Sequence, residues 1–98
     1  MTMRCYNRCM RIEYHREFKR DVRKWRKAGW DMGPFELFLT TLRREWPLPT
    51  RYQAHRMVGN MAGTWDAHIR QDWVVFFRKE NDCILLLRTG THAYLGIG

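Results

Sequence analysis

Four histidines are the first residues to weigh: His15, His55, His68 and His92. The imidazole ring exchanges protons near neutral pH, so histidines can supply both acid and base in one reaction. His68 alternates with Asp66 and Arg70 on the polar side of a strand-like stretch, Asp72 opens the turn that follows, and His92 comes soon after Arg88. His55 falls in another strand-like stretch. If these strands are neighbours, their ends bring histidines, a carboxylate and an arginine together. Such a set suits cleavage of RNA without a metal. RNA carries its own nucleophile, the 2′-hydroxyl beside the scissile phosphate. One group must take the hydroxyl proton and another must protonate the departing 5′-oxygen. A cation must stabilise charge gathering on the phosphate oxygens, a role suited to the donor fork of arginine.

Each of these residues also has a plainer use. A single histidine is more often a surface or structural residue than a catalyst. Trp65 and Trp73 read as core side chains before they read as platforms for bases. A zinc site from His55, His68 and His92 lacks the spacing of a local zinc motif, and Cys5 with Cys9 falls two ligands short of one. No metal or cofactor is expected. Residue types and spacing alone stop at a small basic α+β protein, nucleic-acid-binding by its charge.

The elements that must position these groups follow from hydrophobic periodicity. Met10–Tyr14 alternates as a short strand. Tyr14, Phe18, Val22, Trp25 and Gly29 then trace one face of a helix. Its opposite face carries Arg16, Lys19, Arg20, Arg23, Lys24, Arg26 and Lys27. Ala28-Gly29 suits its C-terminus. Asp31 is the expected N-cap of a second helix, with Pro34 in the first turn and Phe35, Phe38, Leu39, Leu42 and Trp46 on one face. Pro47 and Pro49 close it. Strand patterns fill the rest: Tyr52–Val58, Thr64–Arg70, Trp73–Arg78 and Cys83–Arg88, with turns at Gly59–Gly63 and Lys79–Asp82 and a short tail after Thr91. The order is β-α-α-β-β-β-β. It predicts an α+β domain over residues 10–98, an antiparallel sheet of four to five strands with an N-terminal helical hairpin packed on it. Residues 1–9 read as an N-terminal extension.

Length and charge narrow the class. The chain has 98 residues, 45% of them hydrophobic and 29% charged, enough for one folded domain. The formal charge is +8, and it is unevenly placed. Residues 1–30 hold ten basic and three acidic side chains, a net of +7; residues 31–62 hold four and three, +1; residues 63–98 hold four of each, zero. The first third therefore points to a polyanion or an acidic partner. No apolar run approaches the roughly 20 residues that cross a bilayer, and no apolar stretch follows the basic N-terminus as in a secretory signal. Three cysteines, Cys5, Cys9 and Cys83, make no disulfide framework and fit a reduced, cytoplasmic protein.

Tyr52–Leu95 resembles the YafQ branch of the RelE/ParE toxin superfamily. His55, Gly59, Gly63, His68, Asp72-Trp73 and Arg88-Thr89-Gly90-Thr91-His92 occur in family order and at family spacing. Tyr14, Phe18-Lys19-Arg20-Asp21 and Leu48-Pro49 extend the likeness over roughly residues 10–95. A match in many parts is specific where one part would be weak. The resemblance implies a RelE-like fold and the toxin of a type II toxin–antitoxin pair, a ribosome-dependent, metal-independent endoribonuclease that cuts mRNA in the A site. It assigns catalysis to His55, His68, Asp72, Arg88 and His92, with His92 as general acid and Asp72 or His55 as general base. Trp73 and Tyr94 are assigned to substrate positioning, and the seven helix-one cations to ribosomal RNA.

The implied partners are the 70S ribosome with its mRNA and a small acidic antitoxin of the ribbon-helix-helix type, whose complex would bind operator DNA. One position departs from the family. Its members carry an aromatic residue shortly after the last histidine, where this chain has Gly96. Either Tyr94 replaces that ring or stacking on the mRNA is weaker. Two competing functions are a ParE-like toxin that inhibits gyrase without cutting RNA and a non-catalytic RNA-binding domain. The histidine set favours the nuclease, because a binding surface has no need of clustered proton-transfer groups.

Overall fold

The helix expected from the spacing of Phe18, Val22 and Trp25 forms in the computed structural model, which describes residues 11–44, 46–59, 63–80 and 82–96, while Tyr14, also expected on its apolar face, ends the preceding strand. The expected extension, with Cys5 and Cys9, lies outside the described residues. Strand β1 is Arg11–Tyr14, followed by α1 (Arg16–Lys27) and α2 (Gly33–Arg44). A 3₁₀ turn (Thr50–Tyr52) leads into β2 (His55–Arg56), β3 (Trp65–Arg70), β4 (Trp73–Lys79), β5 (Cys83–Gly90) and a short α3 (His92–Leu95).

His15 ends β1 and caps α1, its Nδ1 accepting the Glu17 N–H at 3.1 Å. Glu17 in the first turn and Lys24, Arg26 and Lys27 in the last complement the helix dipole. Gly29 stops the helix with φ 92°, where a side chain would be strained. Asp31, the expected N-cap, lies one residue earlier than that position, with the first helical bond running from the Glu36 N–H to the Met32 carbonyl, but its Oδ1 still accepts the Gly33 N–H at 2.9 Å. Phe35, Phe38 and Leu42 are buried, while Trp46 lies beyond the helix and meets Trp65 edge-on at 4.9 Å.

The five strands form one sheet in the order β1-β5-β4-β3-β2. The three pairings among β2, β3, β4 and β5 are antiparallel, but β1 joins β5 in parallel, from Arg11↔Cys83 to Tyr14↔Leu86. The hairpin of helices and three strands between them provides the long crossover a parallel pair requires. The helices cover one face, α1 over β5 and α2 over β3. Phe18, Phe38, Leu42, Phe77, Ile84 and Leu86 are fully buried between the layers. Each such side chain contributes about 1.5–3 kcal/mol on burial.

The parallel β1 departs from the expected antiparallel sheet, and two further expectations change. The strand expected at Tyr52–Val58 shrinks to two residues, because Gln53 takes a left-handed φ of 48° at the end of the 3₁₀ turn. The expected tail is a helical turn, with Thr91 Oγ1 accepting the Tyr94 N–H at 3.0 Å and Gly96 closing it at φ 75°. Both changes lie next to candidate site residues.

Candidate active site

Three of the five predicted catalytic side chains meet at one end of the sheet. Asp72 stands in the turn between β3 and β4, and His92 opens α3 just beyond β5. One oxygen, Asp72 Oδ1, accepts the backbone N–H of His92 at 2.9 Å and pairs with ring Nδ1 at 2.6 Å. A carboxylate can only accept, so His92 Nδ1 carries a hydrogen. Its other nitrogen, Nε2, faces Nε2 of His68 at 3.3 Å. Two lone pairs cannot face each other at that distance, so one of the two nitrogens holds a proton. His68 Nδ1 is buried without a hydrogen-bond partner among the described residues. Such a group costs about 1–3 kcal/mol, a penalty typical of functional sites. A register shift between His68 and Arg70 interrupts the β3–β4 ladder here, and bulges of this kind re-aim side chains.

The backbone bond from His92, followed by the ring bond, holds the Asp72 carboxyl below its usual 3.8. A carboxyl whose pKa is depressed by folding stabilises the fold fully above its unfolded pKa. It loses that contribution as pH falls through the depressed value. The urea midpoints of wild type and Asp72→Asn should therefore differ near neutral pH and draw together as the pH falls below the usual carboxylate range. A gap unchanged in acid would contradict the assignment.

Arg88 is positioned by a residue that sequence reasoning did not select. Asp21 lies on α1 among the cations yet has no exposed surface. Its carboxylate accepts Arg88 Nε at 2.7 Å, the Thr89 backbone N–H at 3.0 Å and the Tyr94 hydroxyl at 2.7 Å. These partners satisfy a buried charge that would otherwise be prohibitively costly. The Asp21 bond holds the Arg88 guanidinium and the Tyr94 phenol above their ordinary pKa values. With a side-chain exposure of 28%, Arg88 keeps part of its donor fork open. Asp21 was legible in principle: it sits three residues after Phe18 and four before Trp25, on the apolar face.

Trp73 is 5% exposed, and its indole N–H donates to Thr89 Oγ1 at 2.9 Å. It is a strut in the core, with little of the indole left exposed. Trp25 donates to the Thr89 carbonyl at 3.1 Å and packs edge-on against Tyr94. Gly90 is required between them, since a Cβ there would lie 2.6 Å from Tyr94 Cδ2 and 2.9 Å from Trp25 Nε1. Tyr94 is thereby fixed beside Arg88, whose guanidinium carbon lies 5.5 Å from the ring centre.

His55 stands apart from the His68–His92 contact. Its ring Nδ1 lies 3.3 Å from the Gln53 carbonyl and 3.4 Å from buried Asp66. His55 and Asp66 are cross-strand partners, and Asp66 shares a face of β3 with His68. Neighbours on this diagonal are about 7–8 Å apart. The seven α1 cations are all exposed, and among the described residues none forms a salt bridge. Among the described residues, no three His, Cys, Asp or Glu side chains converge as a metal ion would need, and no helix is long and apolar enough to cross a membrane.

Comparison with known proteins gives one consistent result. Residues 10–96 match the family described as "Bacterial toxin of type II toxin-antitoxin system, YafQ". The mRNA interferase toxin YafQ of Escherichia coli K12 is 34% identical over 85 residues, which is 86% of this chain and 92% of that protein. The crystal structure of YafQ from E. coli BL21(DE3) superposes with a TM-score of 0.82 at 32% identity, covering 88% of this chain and 97% of that one. YafQ in the E. coli DinJ–YafQ complex gives 0.81 at 33% identity, with 88% and 97% coverage.

Proposed function

This chain belongs to the YafQ family of bacterial type II toxin–antitoxin toxins, and on that premise we propose that it is an endoribonuclease that cuts mRNA held in the ribosomal A site. The observation that carries the reading is the line Asp72–His92–His68, with Nδ1 of His92 tied to a carboxylate and Nε2 directed at a second imidazole. Asp72 fixes the ring by accepting from Nδ1, leaving Nε2 to deliver a proton to the departing 5′-oxygen. Asp72 is the poorer choice of base, because the oxygen that meets His92 is committed and its carboxyl is held low.

An in-line displacement needs acid and base on opposite sides of the phosphate. His68 touches His92 and supports the acid. His55, exposed on the same sheet face and backed by Asp66, is the group we assign to the 2′-hydroxyl proton. Arg88, braced by Asp21, meets the charge that develops on the phosphate oxygens. Tyr94 orients Arg88, and Trp73 positions the turn bearing Asp72.

The α1 cations supply docking on ribosomal RNA, a contact that is sequence-independent and weakened by salt. The ribosome in turn presents the mRNA in a reactive geometry that a sparse site cannot impose alone. A groove of about 870 Å³ between the helices and β1 has an apolar floor including Ile12, Val22 and Leu39 and a rim including Lys19, Arg23 and Arg26. That combination fits an amphipathic acidic segment of a ribbon-helix-helix antitoxin, which would cover the docking cations and whose complex with the toxin would bind operator DNA. The protein would act in the cytoplasm, where ribosomes are.

Purified ribosomes programmed with mRNA test this reading. Cleavage within the A-site codon, absent on naked mRNA and falling steeply with added KCl, is the expected result. Intact mRNA in the presence of folded protein would overturn it.

A further inference from the structure

The end of α1 is shaped to hold an indole beside the catalytic cluster. Gly29 reverses the chain, and the Trp30 N–H reaches back to the Trp25 carbonyl at 3.0 Å. The Trp30 ring stacks on Trp25 at 4.2 Å and meets Trp73 edge-on at 4.8 Å. A cleft of about 340 Å³ opens there, lined by Trp30, Asp31, Arg70, Asp72 and Trp73. Asp72 also holds His92, so the cleft adjoins the reacting groups.

The polar groups around this cleft are those of a nucleotide site. Asp31 Oδ1 accepts the Gly33 N–H, and the second oxygen has no partner among the described residues. Arg70 is exposed and forms no ion pair among the described residues. It also lines two further clefts, one shared with His68 and both shared with Arg51. An indole wall accepts the face of a base and favours the larger rings of purines. A free carboxylate oxygen accepts from an exocyclic amino group and repels a carbonyl edge. A cation where the clefts meet suits the connecting phosphate.

Resting on the nuclease reading above, we propose that this cleft receives the base of the nucleotide next to the scissile bond, selecting an amino-bearing purine through Trp30 and Asp31 while Arg70 takes the adjoining phosphate. Asp31 and Trp30 are then specificity-determining residues, and Arg70 is a sequence-blind positioning residue.

The test is a competition on ribosomes programmed with an mRNA pool that presents every codon in the A site. Wild type should prefer adenine or guanine over uracil at one codon position. Asp31→Asn retains a side-chain oxygen for the Gly33 N–H but presents a donor to the base, so that preference should shrink about tenfold. Arg70→Gln should lower kcat/KM by one common factor on all codons, about tenfold, without changing their ranking. Trp30→Leu should lose the purine preference, and Trp30→Phe should keep it. An unchanged codon ranking in Asp31→Asn, from a wild type that cuts, overturns this inference and leaves the nuclease reading standing. A wild type that cuts no codon overturns both.

Discussion

Replacing His92 with alanine is expected to lower the single-turnover rate of mRNA cleavage by about 10²–10⁴-fold, the usual contribution of a positioned proton donor. The fold should survive. The His92 ring is 32% exposed, and its backbone N–H would still reach Asp72, so α3 keeps one of its anchors. What disappears is the side chain that, among the described residues, joins Asp72 to His68. His92→Gln separates the two roles of the ring. A glutamine can donate to Asp72 and restore packing, but it cannot deliver a proton, so activity should stay as low as in the alanine variant. Recovery of cutting in His92→Gln would assign the ring to packing alone.

The second large effect is on stability. Asp21→Ala removes the acceptor of three donors and leaves Arg88 part-buried without its counter-charge. Breaking such a pair from one side costs about 3–5 kcal/mol, a large share of the stability of a domain this small. Urea denaturation reads it directly. Replacing both charges with apolar side chains, Asp21→Leu with Arg88→Met, removes the unpaired ion and should recover part of the loss. Cleavage should not recover with it, because the phosphate has lost its cation. A double variant that regained both would show that the pair serves the fold only.

The elements that position the site were mostly legible. The helix-one stripe, the start of α2 beside Asp31 and the β3, β4 and β5 patterns follow from periods of 3.6 and 2, which depend on neighbours in the chain. The parallel β1–β5 pairing was not legible, since strand direction depends on where a crossover returns. The two-residue β2 and the helical turn at His92 were hidden because single residues, Gln53 and Thr91, decide them.

The site shows the same division. The histidines and Asp72 announce themselves by type. Asp21 did not, because an acid among cations reads as a surface pair until the fold buries it against Arg88. Trp73 matched a motif position, but only packing shows that it braces the site from within. The uneven charge belongs to α1, whereas all the candidate catalytic residues but His55 lie from residue 63 onward, where the net charge is zero.

The most direct test of the account is to induce wild type and His92→Ala separately in growing cells and map mRNA 5′ ends across the transcriptome. Wild type should arrest growth and produce new ends in frame within translated codons, and His92→Ala, at equal abundance, should produce neither. New ends in both strains, or arrest by wild type with mRNA intact, would contradict it.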